Sequence, residues 1–378
     1  MTERKKLKVL ITSSSYLPNI GGIENSLYYL AKAGENDDVT IVASDSVVHV
    51  EDKDERPSLN CKIIRYHLPN NRNPILRVFL NWKNAFATYR KVKKEGCDLV
   101  ISRYHFNTII CFLAGLKNIN FVVPGVVKYQ DSTQLLNKND LSFKRKLSYR
   151  YNQLLQFFAL KVSDRVFVFS ENMEQQVKSV CKNCKTIRTA PGVDTDKFYF
   201  TEEKTNKSVN LLTVSRLNSA KNIEMAIESL QYLAQEYHLT IVGDGAIKSQ
   251  LVELAANLKL IDRVHFEGAQ TDVVKYYTQA HLFLLPSVYE PFGQTILEAS
   301  SCGLPTVAFD QSIVNTATRD ILGELGCYAN ALTPKNYANA IRQAHKDFYL
   351  NKERSRKKLR ELVRKNYSWS FVYKFITQ

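Results

Sequence analysis

The chain lacks long hydrophobic runs. Its hydrophobic share of 44% is ample for packed cores, yet no apolar stretch approaches the ~18–20 residues of a helical membrane span. There is no internal repeat and no low-complexity segment, which excludes solenoids and linker-like tracts. Cysteine is sparse, seven in 378 residues, too few for a disulfide framework, so a reducing, cytoplasmic setting is expected. Cys181-Lys-Asn-Cys184 is a lone CxxC. No second pair and no nearby His completes a zinc site, and the two thiols read as incidental. The opening, Met1-Thr-Glu-Arg-Lys-Lys-Leu-Lys8, is basic but has no signal-peptide apolar core and leads directly into a strand.

Charge is present, and unevenly. Residues 1–190 hold 30 Lys and Arg against 17 Asp and Glu, a net of +13, whereas residues 191–378 hold 22 against 20, a net of +2. The first half therefore suits an anionic partner. Nucleic-acid module signatures, such as zinc fingers or the aromatic ribonucleoprotein motifs, are missing. The expected partner is an anionic membrane face, not nucleic acid.

At this length about two domains are expected. Strand-like and helix-like segments alternate, the pattern of parallel α/β architecture. The first set contains Lys8–Thr12, Val39–Ala43, Asp98–Ile101, Asn120–Val123 and Arg165–Phe169 as strands. A helix over Ile23–Ala33 places Ile23, Leu27, Leu30 and Ala31 on one face. The second set begins at Asn210–Val214. It continues through a helix over Asn222–Ala234, with Ile223, Ala226, Ile227, Leu230 and Leu233 on one stripe, to strands at Leu239–Val242, Val264–Phe266 and Leu282–Leu285. Two doubly wound sheets in tandem are expected, with a turn-rich hinge at Ala190–Phe198. The predicted domains are 1–190, 191–360 and an aromatic final helix over 361–378.

Doubly wound sheets bind ligands at the carboxyl ends of their strands. Four loops there carry suggestive residues. Tyr16-Leu-Pro-Asn-Ile-Gly21-Gly22 offers close backbone approach before a helix N-terminus. Ser215-Arg216-Leu-Asn-Ser-Ala-Lys221 offers a guanidinium fork and an ammonium to phosphate. Gly243-Asp-Gly245 lacks the ending of a P-loop and reads as permissive backbone. The fourth is Glu290-Pro-Phe-Gly-Gln-Thr-Ile-Leu-Glu298. It follows a strand-like run and the Pro286-Ser287 turn, so Glu290 falls in a strand-to-helix loop and Glu298 about two turns into the helix. The backbone N–H groups of Phe292, Gly293, Gln294 and Thr295 between them form a helix N-terminus suited to an anion or hydroxyls.

These nine residues resemble the Glu-x7-Glu signature of retaining glycosyltransferases of family 4. Pro191-Gly-Val-Asp194, Arg216 with Lys221, Gly243-Asp-Gly245 and Cys302-Gly-Leu-Pro305 stand in that family's order, and the likeness spans roughly residues 8–35 and 160–308. The resemblance implies the GT-B fold, two Rossmann-like domains facing a central cleft, with the last helix returning to the first domain. By position it makes Glu298 the acceptor of ribose hydrogen bonds. Glu290, helped by the Phe292 and Gly293 amides, would contact the transferred sugar. Arg216 and Lys221 would neutralise the departing diphosphate, and the Gly21-Gly22 loop would cover the phosphates. It further implies retention by front-face attack, with no covalent enzyme intermediate and no essential metal or other cofactor.

Where the family often has a histidine, this chain reads Val123-Pro-Gly-Val-Val-Lys128. His105, in Arg103-Tyr-His-Phe-Asn107, lies one strand earlier and reads either as acceptor-facing or as a packed side chain. Asp310-Gln-Ser-Ile-Val-Asn315 stands where the family often has a glycine-rich loop. Asp52-Lys-Asp54 and Asp194-Thr-Asp196 have Asp-x-Asp spacing, but they read as a solvated loop and part of the hinge. Ile75–Lys94 and Phe143–Lys161 interleave aromatic and aliphatic residues with Lys and Arg. Each reads either as a membrane-surface helix or as a core-facing helix with a basic outer face. The expected function is transfer of a sugar from a UDP- or GDP-linked donor to a glycan or lipid-linked acceptor in cell-surface polysaccharide assembly, on the inner face of the membrane. The alternatives are a GT-B nucleotide-sugar epimerase and a non-catalytic sugar-nucleotide or membrane-binding protein.

Overall fold

A computed structural model describes residues 6–19, 22–46, 59–129, 143–199, 208–290 and 293–378. The chain divides into two compact units. One holds residues 1–190 with 369–378, and the other residues 191–368.

The first unit is built on a seven-stranded sheet: β1 (Lys8–Thr12), β2 (Asp38–Ser44), β3 (Lys62–Tyr66), β4 (Leu99–Ser102), β5 (Ile119–Val122), β6 (Arg165–Val168) and β7 (Thr186–Arg188), in the order β3-β2-β1-β4-β5-β6-β7. All its pairs are parallel. The strand order reverses between β1 and β4, where a doubly wound sheet opens a crevice at its carboxyl edge. The helices are α1 (Gly22–Ala33), α2 (Pro74–Glu95), α3 (His105–Leu113), α4 (Phe143–Val162) and α5 (Glu171–Val180). Leu27, Leu30 and Ala31 of α1 are buried as their spacing predicts, while Ile23, at the helix's start, is half-buried. Asn73 starts α2 by accepting from the Ile75 and Leu76 amides, ahead of Pro74 in its first turn.

The second unit has a six-stranded sheet: β8 (Val209–Val214), β9 (Tyr237–Val242), β10 (Val264–Gly268), β11 (Leu282–Leu285), β13 (Thr306–Phe309) and β15 (Cys327–Ala329), ordered β10-β9-β8-β11-β13-β15. A two-stranded parallel ladder joins β12 (Tyr289–Glu290) to β14 (Asn315–Thr316). Its helices are α6 (Ile223–Ser229), α7 (Lys248–Asn257), α8 (Val274–Gln279), α9 (Gln294–Ser301), α10 (Thr318–Leu322) and α11 (Pro334–Asn366). Ile223, Ala226, Ile227, Leu230 and Leu233 enter one core with β8, β9 and β11, as their stripe predicts.

The sequence reading did not anticipate β3, β7, β15 or α11. The first and second are edge strands with mixed burial, so they carry no clean period. The expected boundary at 361 falls inside α11, and the chain changes unit at 368/369 instead. The last helix, α12 (Trp369–Thr377), belongs to the first unit. There Trp369 stacks on Tyr29 with ring centroids 5.7 Å apart, Tyr373 donates to Asp37 at 2.9 Å, and Asn120 donates to the Ile376 carbonyl at 2.7 Å. The expected hinge is packed from Pro191 onward. Asp194 accepts from the Asp196 and Lys197 amides, and the Phe198 carbonyl accepts from the Ser301 hydroxyl at 2.6 Å. Asp52-Lys-Asp54 lies outside the described residues.

Candidate active site

The carboxyl edges of β8 and β11 bring the second unit's predicted residues together, at the point where its strand order reverses. The loop after β8 leaves the sheet through Ser215, whose amide donates to the Val242 carbonyl at 3.0 Å, and is anchored by buried Leu217. Gly243 and Gly245 run so close beneath it that a Cβ on Gly243 would lie 1.8 Å from the Ser215 carbonyl oxygen, and one on Gly245 would lie 2.2 Å from that of Leu217. Gly243 also has φ +138, a conformation that side chains rarely adopt. The loop thereby leaves Arg216 exposed, and a short 3-10 turn, Ser219–Lys221, carries Lys221 inward. Asn222 closes the turn in the left-handed conformation, φ 49, and donates to the Pro286 carbonyl at 3.3 Å, tying this loop to the end of β11.

Lys221 Nζ forms an ion pair with Glu290 Oε2. Both are largely withdrawn from solvent, with side-chain exposures of 18% and 10%. Glu290 is held by its own backbone as well. In the β12–β14 ladder Glu290 lies opposite Thr316, its carbonyl accepts from the Ala317 amide at 2.9 Å, and the neighbouring Val288 carbonyl accepts from the Asn315 amide at 3.0 Å. The segment standing in place of a glycine-rich loop thus leads into the strand that holds this carboxylate.

Gly293 has φ +66, and its amide donates to Glu290 Oε1 at 3.4 Å. A Cβ there would approach Ile321 Cδ1 to 2.5 Å. Phe292 and Gly21 lie outside the described residues, while Gly22 is the exposed first residue of α1. Helix α9 begins only at Gln294, so Glu298 is its fifth residue, just over one turn in rather than two. Gln294 is not open to a ligand along its whole amide, since its Nε2 donates to the Gly192 carbonyl at 3.0 Å. Thr295 is half-buried beside it.

Glu298 as a residue is half-buried, but its carboxylate is withdrawn from water, and that desolvation lifts its pKa to about 7. The Tyr277 hydroxyl, donating to Oε2 at 2.9 Å, works against the rise, as do the Lys197 charge and a hydrogen bond from Gln294. Tyr277 was not legible in the sequence. It occupies an ordinary buried position of α8, with nothing in its neighbours to mark it. Among the described residues no cluster of three or more His, Cys, Asp or Glu is arranged to hold a metal ion. The cysteines are all free.

His105 lies in the first unit, at the start of α3. It is 5% exposed, hydrogen-bonds Asn152 at 3.0 Å, and has its pKa lowered by burial. Beside it a cavity of about 540 Å³ opens at the carboxyl ends of β1, β2 and β3, within the ~300–1,000 Å³ usual for small-molecule sites. Tyr104, Phe106 and Asn152 line it, whereas His105 itself does not.

This frame matches known proteins along nearly the whole chain. Residues 20–197 match the family described as Glycosyltransferase Family 4, and residues 194–366 match Glycosyl transferases group 1. The chain belongs to glycosyltransferase family 4. Sucrose-phosphate synthase from Thermosynechococcus elongatus has the same fold, with a TM-score of 0.76 at 21% identity over 99% of this chain and 98% of that one. So does Anabaena HepE, solved with UDP and glucose, with a TM-score of 0.72 at 15% identity over 98% of each chain. The fold is thus that of GT-B glycosyltransferases. Among curated relatives, the N-acetylgalactosamine-N,N'-diacetylbacillosaminyl-diphospho-undecaprenol 4-alpha-N-acetylgalactosaminyltransferase of Campylobacter jejuni is 24% identical over 265 residues, 67% of this chain. An uncharacterized glycosyltransferase of Methanocaldococcus jannaschii is 25% identical over 275 residues, 69% of this chain. The family 4 chain spans about two thirds of those relatives' lengths, 68% and 66%.

Proposed function

We propose that this chain is a retaining glycosyltransferase that moves a hexosyl group from a nucleotide sugar to a glycan or lipid-linked acceptor, in cell-surface polysaccharide assembly. The observation that carries the reading is the Glu290–Lys221 pair at the carboxyl edge of the second sheet, with Glu298 one turn into the following helix. Glu298 accepts from the ribose hydroxyls. Glu290 contacts the transferred sugar. Lys221, already beside Glu290, and exposed Arg216 meet the charge that develops on the departing diphosphate, the role for which fixed cations are most effective. The N-terminus of α9 adds a partial positive charge. The acceptor attacks on the face from which the diphosphate leaves, and that phosphate takes its proton, so no enzyme-bound glycosyl intermediate forms. With protein cations on the diphosphate, chelation by EDTA is expected to leave turnover unchanged.

UDP is the first nucleotide to try, because the similar Anabaena protein was solved with it. A nucleotide present at 100 times its Kd adds about 2.7 kcal/mol of stability, a readily measured thermal shift. Glu298→Ala is expected to abolish that shift. Glu290→Ala is expected to retain most of it while turnover falls by roughly 10²-fold or more. Loss of neither overturns the assignment.

The same reading places the protein on the cytoplasmic face of an anionic membrane. Among the described residues no helix is long and apolar enough to cross one. Two helices of the basic unit, however, expose apolar side chains. On α2, Ile75 is 80% and Phe79 63% exposed, and on α4, Leu147 is 60% and Leu154 58% exposed. Exposed Arg77, Lys83, Lys146 and Arg150 accompany them. An apolar stripe flanked by cations suits the boundary between headgroups and acyl chains.

A further inference from the structure

The segment that carries the Asp194–Asp196 spacing is bonded along the helix that carries Glu298. Gln294, Glu298 and Ser301 are spaced four and three residues apart in α9, which puts them on one face of the helix. The outer two are both tied to the segment. Gln294 Nε2 donates to the Gly192 carbonyl at 3.0 Å, and the Ser301 hydroxyl donates to the Phe198 carbonyl at 2.6 Å. Residues 192–198 therefore run past Glu298.

Between those ties the chain makes a tight turn. Asp194 Oδ1 accepts from the Asp196 and Lys197 amides, both at 3.1 Å, and the Asp194 carbonyl accepts from the Phe198 amide at 3.0 Å. Such a carboxylate-to-backbone turn fixes the residues that follow it. Phe198 is buried and Lys197 exposed. The Phe198 ring meets Tyr277 edge-on, with centroids 5.7 Å apart and planes at 81°, and Phe283 packs on the same Tyr277 ring at 5.7 Å. So packed, Tyr277 donates to Glu298 Oε2 at 2.9 Å. Lys197 holds its ammonium over the Phe198 ring, 5.7 Å from the centroid. Burial raises the Glu298 pKa, and the Lys197 charge is among the influences that pull it back. The other ionisable neighbour, Cys302, lies one turn on in α9. Burial pushes its thiol up to about 12, the Glu298 charge adds to the rise, and Arg360 and Arg356 of α11 oppose it.

Resting on the ribose role proposed for Glu298, we propose that Asp194, Lys197 and Phe198 are positioning residues of the donor site. Phe198 fixes Glu298 through Tyr277. Lys197 supplies the counter-charge that lets the carboxylate accept hydrogen bonds as an anion. Asp194 shapes the turn that presents both.

Two measurements on the full chain test this. One is UDP affinity by calorimetry from about pH 5.5 to 9. The other is the titration of Glu298 without nucleotide, by carbon-13 NMR of δ-labelled glutamate, assigned with Glu298→Gln. Lys197→Met should raise both midpoints by about 0.5 pH unit at low salt, and Lys197→Arg should restore them. In the wild type, ~0.5 M salt should produce the same rise, with no further rise in Lys197→Met. Lys197 is exposed, so its variants test the charge without disturbing the core. Phe198→Leu and Asp194→Ala should each weaken UDP about 5- to 10-fold. Asp194→Asn, whose amide oxygen still accepts from both N–H groups, should keep wild-type affinity. Unchanged midpoints in Lys197→Met, or equal losses in Asp194→Asn and Asp194→Ala, overturn the proposal and leave the transferase reading standing. If UDP binds to none of these proteins, the transferase reading falls, and the glutamate titration alone decides whether the turn governs Glu298.

Discussion

At the scale of single residues, Glu298 is the position where environment most alters chemistry. Its folded pKa of about 7 stands well above the ordinary glutamate value of 4.5, so between those values the folded chain keeps a proton that the unfolded chain has released. Its contribution to stability is therefore complete below about 4.5 and is lost as pH rises through about 7. Ligand binding has the opposite sign. In the role proposed for Glu298, ribose hydroxyls would donate to the ionised carboxylate, so nucleotide affinity should rise with pH and level off above 7. Calorimetry at pH 6 and pH 8 is expected to differ by up to about 10-fold, one pKa unit being about 1.4 kcal/mol. Tyr277→Phe removes a hydrogen bond that favours the ionised form, and it should move the midpoint of that profile upward. A pH-independent affinity would remove Glu298 from the ribose contact.

Among the elements, the two-residue ladder of β12 and β14 has a role out of proportion to its length. It fixes the backbone of Glu290 through Thr316 and, alongside, joins the Asn315 amide to Val288. Asn315→Pro deletes that donor at the surface of the fold without touching the main sheet. Turnover should drop by about 10-fold or more, while the far-ultraviolet circular dichroism stays native. Unchanged kcat with native structure would show that Glu290 does not depend on the ladder. This support was out of reach of sequence reading. Asp310–Asn315 differs from the family's glycine-rich segment, and a difference in composition carries no information about which strand it pairs with. The β8 loop was legible for the converse reason. Its basic residues follow a strand and precede a helix, a local context that a doubly wound sheet converts directly into a place at its edge.

For the whole molecule, the asymmetry of charge between the two halves, +13 against +2, is what the proposed membrane binding rests on. Sedimentation with anionic vesicles should exceed that with neutral vesicles at ~0.1 M salt, and should fall as salt shortens the Debye length from about 10 Å toward 3 Å. Ile75→Ser with Phe79→Ser should weaken binding at low salt as well, because the apolar term is lost while the charges remain. Equal sedimentation with neutral and anionic vesicles would refute the surface. Covalent patterning alone was enough for the parallel α/β class, both doubly wound sheets, the loops at their carboxyl edges and the candidate carboxylates and cations, since strand and helix periods, turn residues and charge order are local properties. Folding alone decided that Lys221 rests on Glu290, that Tyr277 holds Glu298, that His105 lies behind its cavity's wall, and that the apolar residues of α2 and α4 face solvent. Those are relations between positions far apart in the chain, 69 residues for Lys221 and Glu290, set by packing and desolvation, and no local pattern encodes them.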